Sequence, residues 1–188
     1  MEEQLKDVYE VNDFVAKFSC EVNKFVCSTN INSVYNLYNA IKSSKRIFLA
    51  GNGGSWSNCD HIANDLFKRC NIEAHVMSSG SMLTCFGNDY TFENIYIEWL
   101  KRFNLNENDL LISISSSGKS KNILHASAYA KSVKCKTIGI FGFQNTYEES
   151  KKCFDDIIWF KESGYGVHEI SSICLIHGII EKIVEENG

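Results

Sequence analysis

The amino-acid sequence predicts an α/β fold with a parallel sheet covered by helices on both faces. Five short apolar runs occur along the 188 residues, and stretches with helical periodicity lie between them. Strands that alternate with helices indicate successive β-α-β units, and short apolar strands are typical of a parallel sheet buried on both faces. The candidate strands are Arg46 to Ala50, Glu73 to Met77, Leu110 to Ile114, Thr137 to Phe141 and Ile157 to Phe160.

The chain opens with a long amphipathic helix that carries one continuous apolar seam. Its residues recur at spacings of three and four, as on one face of a helix. The seam consists of Val8, Val11, Val15, Phe18, Val22 and Phe25. Such a seam packs either on the domain's own core or on a helix of another subunit. Its length before the first strand favours a helix shared between subunits.

Further helices are predicted before the first strand and between the others. They cover Ile31 to Lys42, Ser55 to Arg69, Phe92 to Arg102, Lys121 to Ser132 and Glu169 to Glu185. Nothing resembles a linker, so we expect one domain over residues 1–188. Residues 1–43 form its N-terminal helices and an oligomer contact, and residues 44–188 form the α/β core.

The composition argues against several classes of function. With 44% hydrophobic and 22% charged residues, the chain fits an ordinary globular domain. A formal net charge of −4 provides no basic field, so we expect no nucleic-acid partner. The eight cysteines contain no C-x-x-C pair, which argues against a disulfide framework or a cysteine zinc site. No signal peptide or membrane span is recognisable, so we expect a soluble cytoplasmic protein.

A glycine-rich loop follows the first candidate strand, at Gly51 to Ser55, and leads directly into a helix. Glycines let the backbone approach a ligand, and free amides at a helix start attract anions. The same pattern also serves as a plain connection. It is neither G-x-G-x-x-G nor a Walker sequence, which disfavours dinucleotides and nucleoside triphosphates.

A second loop, Ser115 to Ser120, follows the third candidate strand and again leads into a helix. Its four hydroxyls and its amides can surround a phosphate dianion at a helix N-terminus. A capping serine accounts for only one of these serines. In a doubly wound sheet the two loops can lie side by side at the switch point, where ligands bind. The sequence therefore predicts a phosphate site there.

Together the motifs resemble the SIS (sugar isomerase) domain family, and within it the phosphoheptose isomerases, over nearly the whole chain. The motifs are Gly51 to Ser55, His61 to Leu66, Gly87 to Tyr90 with Phe92 and Glu93, Ser115 to Ser120, and His177. The resemblance implies a three-layer α/β/α sandwich with a five-stranded parallel doubly wound sheet and an N-terminal helical extension. It also implies a homotetramer with active sites at subunit interfaces, which agrees with the N-terminal seam.

The resemblance further implies which residues contact a phosphorylated sugar. The phosphate ligands would be Ser55, Ser115, Ser116, Ser117 and Ser120. The residues expected to position the sugar chain are Asn52 and Asp89, together with Gly53 and Asn88 from the same motifs. In phosphoheptose isomerases the substrate is sedoheptulose 7-phosphate and the product D-glycero-D-manno-heptose 7-phosphate. A Trp at position 56, where relatives have a small residue, either lines the pocket or packs beneath the loop.

A candidate acid/base and metal site lies on two helices. His61 and Asp65 are four residues apart and share one helix face. By resemblance, His177 joins them as an acid/base group and zinc ligand. The relatives carry Glu at the position of Asp65, and the shorter side chain withdraws the carboxylate by roughly 1.5 Å. This difference brings the role of Asp65 as the base into question.

The relatives have a Gln eight residues before the helical His, and Glu169 stands there. The neighbouring His168 would match that position only if one residue were inserted. Eight helical residues rise about 12 Å, so Glu169 and His177 can share one ion only if the helix starts irregularly at Glu169. Our hypothesis is a Zn²⁺ site formed by His61, Asp65, Glu169 and His177.

The implied reaction is aldose–ketose isomerisation through an enediol, with Asp65 or Glu169 as the base and His177 as the partner acid. Two alternatives stay open. One is a non-catalytic SIS-domain sensor or protein-binding adaptor of the DnaA-binding type, because a fold does not determine function. The other is an isomerase for a different phosphorylated sugar, to which Trp56 gives slight support.

Overall fold

In the computed structural model, the backbone is described for residues 2–143, 148–160 and 164–188. These residues form strands and α-helices that alternate along the core. The strands are β1 (Arg46–Gly51), β2 (Glu73–Val76), β3 (Asp109–Ser115), β4 (Lys136–Phe141) and β5 (Asp156–Trp159). The helices are α1 (Glu2–Cys27), α2 (Ile31–Ser43), α3 (Gly54–Cys70), α4 (Gly80–Tyr90), α5 (Ile95–Lys101), α6 (Lys121–Ser132), α7 (Glu148–Cys153) and α8 (Tyr165–Asn187).

The five strands form one sheet in the order β2-β1-β3-β4-β5, and every pairing is parallel. The predicted α/β class and doubly wound sheet are therefore confirmed. The chain moves outward from β1 to β2 and then returns past β1 to β3, so the winding reverses between β1 and β3. In their register Gly51 stands opposite Ile114. The loops that follow these two strands consequently leave the sheet side by side at the switch point.

Two apolar clusters bury the two faces of the sheet. Successive side chains of a strand point to opposite faces, and β1 shows the consequence. Ile47 and Leu49 pack in the cluster that includes residues of α2, α3 and α8. Phe48 and Ala50 pack in the other cluster, with residues of α5 and α6. Helices thus cover both faces, which gives the three layers expected from the sequence.

Some elements differ from the sequence prediction. Helices α4 and α7 were not predicted. In α4 no residue is buried. Because this helix contacts the core so little, its sequence shows no apolar stripe. The helix expected from Phe92 starts as a single 3₁₀ turn, Phe92–Asn94, before α5. The last helix begins at Tyr165, four residues earlier than Glu169.

The N-terminal seam lies on α1 and is only partly covered by this chain. Phe18, Val22 and Phe25 are half-buried, and α1 packs against α8. Val11 and Val15 are 62% and 57% exposed, while the side chain of Val8 lies outside the described residues. The first half of the seam therefore has apolar surface that faces solvent. Within the described residues, no helix combines the length and apolarity needed to cross a membrane.

Candidate active site

The two loops at the switch point enclose a cavity of about 330 Å³, here called the serine-loop cavity. The loop after β1 supplies one wall and the loop after β3 supplies the other. The start of α8 closes a third side. The lining residues are Asn52, Gly53, Gly54, Ser55, Ile114, Ser115, Ser116, Ser117, Ser120, Tyr165 and Glu169. Seven of the nine residues that the sequence assigned to the sugar phosphate thus meet in one cavity, and only Asn88 and Asp89 lie elsewhere.

Glycines shape both loops. Gly53 and Gly118 have φ angles of +57° and +64°, which glycine adopts without strain. At Gly51 the backbone of α3 passes so closely that a Cβ atom would lie 2.7 Å from the carbonyl carbon of Ser55. The glycine therefore permits the immediate turn from β1 into α3. This turn brings the N-terminus of α3, where backbone N–H groups lack helical partners, to the cavity.

Hydrogen bonds fix the loops to each other and within themselves. The side-chain amides of Asn52 and Asn122 exchange two hydrogen bonds of 3.1 and 2.9 Å, which connect the first loop to the first turn of α6, directly after the second loop. The hydroxyl of Ser115 accepts from the backbone N–H of Gly118 at 3.2 Å, and that of Ser117 accepts from Lys119 at 3.2 Å. These hydrogen bonds hold the loops in position around the cavity.

The loop after β3 is also attached to the protein interior. His168, in the first turn of α8, is fully buried, and its Nδ1 lies 2.9 Å from the hydroxyl of Ser116. Burial lowers the pKa of this imidazole to about 4. The sequence offers His168 only as an alternative match to the relatives' Gln, with one inserted residue, and predicts no contact between it and the phosphate loop. Only the packing of α8 under the loop reveals its contact.

A second group of functional side chains lies further along α3, where it packs against α8. Asp65 Oδ2 lies 3.8 Å from His61 Nε2 and 3.5 Å from His177 Nδ1. The two imidazole rings contact each other edge to face, with centroids 4.9 Å apart. The predicted pairing of His61 with Asp65 and the addition of His177 from the last helix are both present. These three residues are here called the His–Asp–His cluster.

The donor set of this cluster suits Zn²⁺. One ligand atom from each residue lies within 4.8 Å of the others. Zinc–ligand distances of about 2.0–2.2 Å in a tetrahedron place ligands roughly 3.4 Å apart, so small side-chain movements bring the three onto one ion. Two imidazoles and one carboxylate form a set known from catalytic zinc sites, which keep a fourth position open.

Glu169 does not join this cluster. Its carboxylate packs on Gly54, where it occupies the space that a Cβ atom would need. Its backbone carbonyl accepts a 2.7 Å hydrogen bond from the side chain of Asn58. Because α8 is already helical from Tyr165 onward, the irregular start that would let Glu169 and His177 share an ion is absent. The structure therefore places Glu169 in the wall of the serine-loop cavity.

Asn88 and Asp89 occupy the exposed end of α4. The side-chain amide of Asn88 donates to Asp89 Oδ1 at 2.9 Å, and neither residue lines the serine-loop cavity. Trp56 faces another direction. Its indole N–H donates to the carbonyl of Met77 at 2.9 Å, and its ring lines an adjoining, mostly apolar cavity of about 270 Å³. Trp56 thus both packs beside the loop and lines a pocket.

Comparison with known proteins gives a family for this architecture. A family model described as SIS domain matches residues 28–142, more than half of the chain. A phosphoheptose isomerase of Clostridium acetobutylicum is 31% identical over 148 residues, which cover 76% of this chain and 72% of that protein. The chain belongs to the SIS domain family. The matched residues of this SIS domain include both loops of the cavity, His61 and Asp65.

Two further similarities agree with the family. A phosphoheptose isomerase of a Nitratiruptor species is 40% identical over 109 residues, 55% of this SIS domain chain and 58% of the relative's length. The chain thus spans about three fifths of that relative. A solved structure of a phosphoheptose isomerase from Neisseria gonorrhoeae superposes with a TM-score of 0.77 at 20% identity, over 96% of this chain and 98% of that one. The latter similarity shows the fold.

Proposed function

We propose that this SIS domain protein is a sugar-phosphate aldose–ketose isomerase that converts sedoheptulose 7-phosphate to D-glycero-D-manno-heptose 7-phosphate. The observation that carries the proposal is the pairing of an anion site, the serine-loop cavity, with an acid/base cluster on the same helix. The names of the curated relatives support this choice of substrate.

The serine-loop cavity fits a phosphate group. Ser55 stands at the N-terminus of α3 and Ser120 is the N-cap of α6, so two helices present partial positive charge and N-terminal backbone N–H groups to the cavity. The side chains of Ser115 and Ser117 accept hydrogen bonds from the loop backbone, which leaves their hydroxyl protons available for an anion. Phosphate oxygens accept several such bonds at once.

The distance between cavity and cluster favours an elongated ligand. Ser55 and Asp65 are ten positions apart on α3, an axial separation of about 15 Å. In an extended heptulose 7-phosphate the carbonyl carbon lies about 9 Å from phosphorus at ordinary bond lengths near 1.5 Å. The side chains that contact the ligand at its two ends span the rest of this separation. An open-chain sugar phosphate therefore matches this arrangement better than a short phosphorylated compound.

We assign proton removal to Asp65 and the partner acid to His177. Asp65 takes a proton from C1, the carbon next to the C2 carbonyl, and the electron pair forms a C1–C2 double bond. His177 gives a proton to the C2 oxygen, which completes the enediol. In the second half, Asp65 returns its proton to C2 while the C1 hydroxyl loses its own to His177 and becomes the aldehyde. The 3.5 Å between the two side chains allows them to serve neighbouring atoms.

Zinc is proposed as the cofactor, held by His61, Asp65 and His177. When bound, Zn²⁺ would supply a Lewis acid for the carbonyl oxygen. Glu169 is left out of this metal set because of its position on Gly54. Glu169 lies in the wall of the serine-loop cavity and is the alternative base. Its carboxylate can also accept hydrogen bonds from sugar hydroxyls there.

We also propose a homotetramer, formed by the single SIS domain with residues 1–43 as an oligomer contact. Apolar surface is available for such contacts on two helices. Val11, Phe14 and Val15 of α1 are exposed, and α4, which carries Asn88 and Asp89, has no buried residue in the isolated chain. Association through these helices would cover apolar side chains and bring Asn88 and Asp89 against a neighbouring subunit.

The proposal is tested with purified full-length protein and sedoheptulose 7-phosphate, beside a panel of other ketose phosphates, with and without a chelator. We expect turnover of the heptulose phosphate above all others, and a lower rate after chelation that added zinc restores. Binding without turnover would contradict the isomerase and support the sensor or adaptor. Faster turnover of another sugar phosphate would contradict the proposed substrate but support the proposed aldose–ketose isomerisation.

A further inference from the structure

The buried imidazole of His168 sits among three polar partners that decide where its proton lies. Its Nδ1 faces the hydroxyl of Ser116 at 2.9 Å. Its Nε2 faces the carbonyl oxygen of Ile140 at 3.3 Å and the hydroxyl oxygen of Ser172 at 3.2 Å. These contacts join the loop after β3, strand β4 and helix α8 at one residue.

The proton on His168 is assigned by what its partners can offer. A carbonyl oxygen only accepts hydrogen bonds, so Ile140 requires a donor at Nε2. The hydroxyl of Ser172 already donates to the carbonyl of His168 at 2.7 Å, so it also meets Nε2 as an acceptor. Burial keeps the ring neutral at neutral pH, and a neutral ring carries one proton. Nδ1 is therefore bare and accepts from the hydroxyl of Ser116.

This assignment separates Ser116 from its neighbours in the loop. Its hydroxyl proton points inward to His168, whereas the hydroxyls of Ser115 and Ser117 accept backbone bonds and keep their protons for a ligand. The carbonyl of Ser116 is also engaged, since it accepts from the backbone N–H of Gly142 at 3.1 Å and of Phe143 at 2.7 Å. Ser116 thus attaches the loop to α8 and to the segment that follows β4.

We propose that His168 is a positioning residue for the phosphate loop, and that Ser116 supports phosphate binding by holding the loop to His168 rather than by donating its hydroxyl to the ligand. The inference rests on the proposed phosphate site and deepens it. It replaces one of the phosphate ligands that the family resemblance implied. It also links the loop to α8, the helix that carries His177.

Two substitutions of similar size separate the two sides of the ring. Asn at position 168 places its amide oxygen close to the position of Nδ1 and keeps an acceptor for Ser116. Gln reaches instead toward the position of Nε2 and leaves the Ser116 hydroxyl without a partner. The variants are therefore His168→Asn, His168→Gln, Ser116→Ala and the double variant of Ser116→Ala with His168→Gln. Ser117→Ala, alone and with His168→Gln, is the control for a direct ligand.

The measurements are the dissociation constants of inorganic phosphate and of sedoheptulose 7-phosphate by calorimetry, with KM and kcat beside them. We expect His168→Gln and Ser116→Ala each to weaken binding and raise KM about tenfold, with kcat within about threefold. The double variant should be no weaker than either single change, because both remove one interaction. The dissociation constants of His168→Asn should remain within about threefold of those of the wild type. In the control, the separate effects of Ser117→Ala and His168→Gln on the dissociation constant should multiply in the double variant.

The outcomes are separable from those of the isomerase proposal. If the Ser116 and His168 effects multiply, or if Asn weakens binding as much as Gln, the positioning role is overturned even where turnover is normal. If sugar phosphate binds without turnover, the isomerase fails but the binding series still decides the role of His168. A wild-type protein that binds neither phosphate nor sugar phosphate removes the premise and overturns the inference. Should His168→Gln fail to fold, the comparison is made in the His168→Asn background instead. There Ser116→Ala removes the hydroxyl and Ser116→Thr keeps it, so we expect Ser116→Thr to retain affinity and Ser116→Ala to lose it.

Discussion

Asp65 is the residue on which the proposed chemistry depends. Its Oδ2 atom faces His177 at 3.5 Å, His61 at 3.8 Å and Arg69 at 3.8 Å. The guanidinium of Arg69 also pairs with Glu181 at 2.7 Å, so it is shared between two carboxylates and lies closer to Glu181. A carboxylate that is largely buried yet in contact with two imidazoles is well arranged for proton transfer.

The two candidate bases can be distinguished by isosteric amides. Asp65→Asn should lower kcat by roughly 10²–10⁴, the usual contribution of a general base, because the amide cannot accept the C1 proton. Glu169→Gln should change kcat by less than about tenfold, since Glu169 lies at the phosphate end of the site. Steady-state kinetics with sedoheptulose 7-phosphate measures both. Asp65→Glu, which restores the side-chain length of the relatives, is the control and should stay active; the reverse ranking of the two amides would make Glu169 the base.

His168 gives the stability of the fold a specific pH dependence. Its pKa is lowered to about 4 in the folded protein from an ordinary value near 6.5, so the unfolded chain binds more protons between these values. Stability must therefore fall as the pH decreases through that window. Between about pH 7 and pH 4.5 the loss due to this residue is about 2 kcal/mol.

Urea unfolding at these two pH values, for wild type and His168→Asn, measures the difference. The variant lacks the titrating ring, so it should lose about 2 kcal/mol less than the wild type. An equal loss in both proteins would show that His168 is not held neutral by burial.

The sequence predicted those site residues whose spacing or motif is local. His61 and Asp65 share a face because they are four residues apart on a helix, and His177 was recognised by resemblance. For Glu169, and for His168 as its alternative, the sequence predicts a place in the metal set but not the direction in which either side chain faces. Which of two adjacent residues on α8 faces the cavity and which faces the core depends on how α8 is rotated against α3 and β4, and that rotation follows from packing of the whole domain.

At the scale of elements, the turn from β1 into α3 is the feature that builds the site. The strand and helix follow each other with only Asn52 and Gly53 between them, and the hydroxyl of Tyr96 donates to the carbonyl of Gly51. Such a tight turn requires the backbone of Ser55 to pass where a side chain on Gly51 would lie. The helix start is thereby fixed beside the end of β3.

Gly51→Ala should be strongly destabilising. The new Cβ would lie 2.7 Å from backbone atoms of Ser55 and 2.9 Å from the backbone nitrogen of Trp56, and backbone cannot rotate away as a side chain does. We expect a loss of about 3 kcal/mol, the upper range of overpacking, measured by urea unfolding. Gly80→Ala is the control, because its Cβ meets nothing within 4 Å. Equal stability of the two variants would contradict the proposed role of the turn.

The strands were predicted within one residue at each end, because apolar runs that are buried on both faces are conspicuous in a sequence. Helix α4 was missed for the opposite reason. It has no buried residue in the chain, so no period in its side chains marks the helix. The start of the last helix was missed because its first turn contains Gly166 and the polar His168 rather than an apolar stripe.

At the scale of the whole molecule, the chain exposes apolar side chains on its long first helix. Val11, Phe14 and Val15 are each more than half exposed, although Phe18, Val22 and Phe25 of the same helix are partly covered. A second apolar surface is a groove of about 720 Å³ between α2 and α8, lined by residues such as Tyr35 and Ile179. Both features support association of subunits through the N-terminal helices.

Val15→Glu should therefore disrupt assembly without unfolding the subunit. The side chain is 57% exposed in the single chain, so a charge there is solvated in the monomer, whereas burial in a subunit contact would cost several kcal/mol. Ala16→Glu is the matched control, because the next residue points about 100° away around the helix and is also exposed. Light scattering after size exclusion should give a tetramer for the wild type and Ala16→Glu and a smaller species for Val15→Glu. A monomeric wild type, or the same mass for all three proteins, would show that the exposed seam is not the contact, and the apolar side chains of α1 would then need another partner.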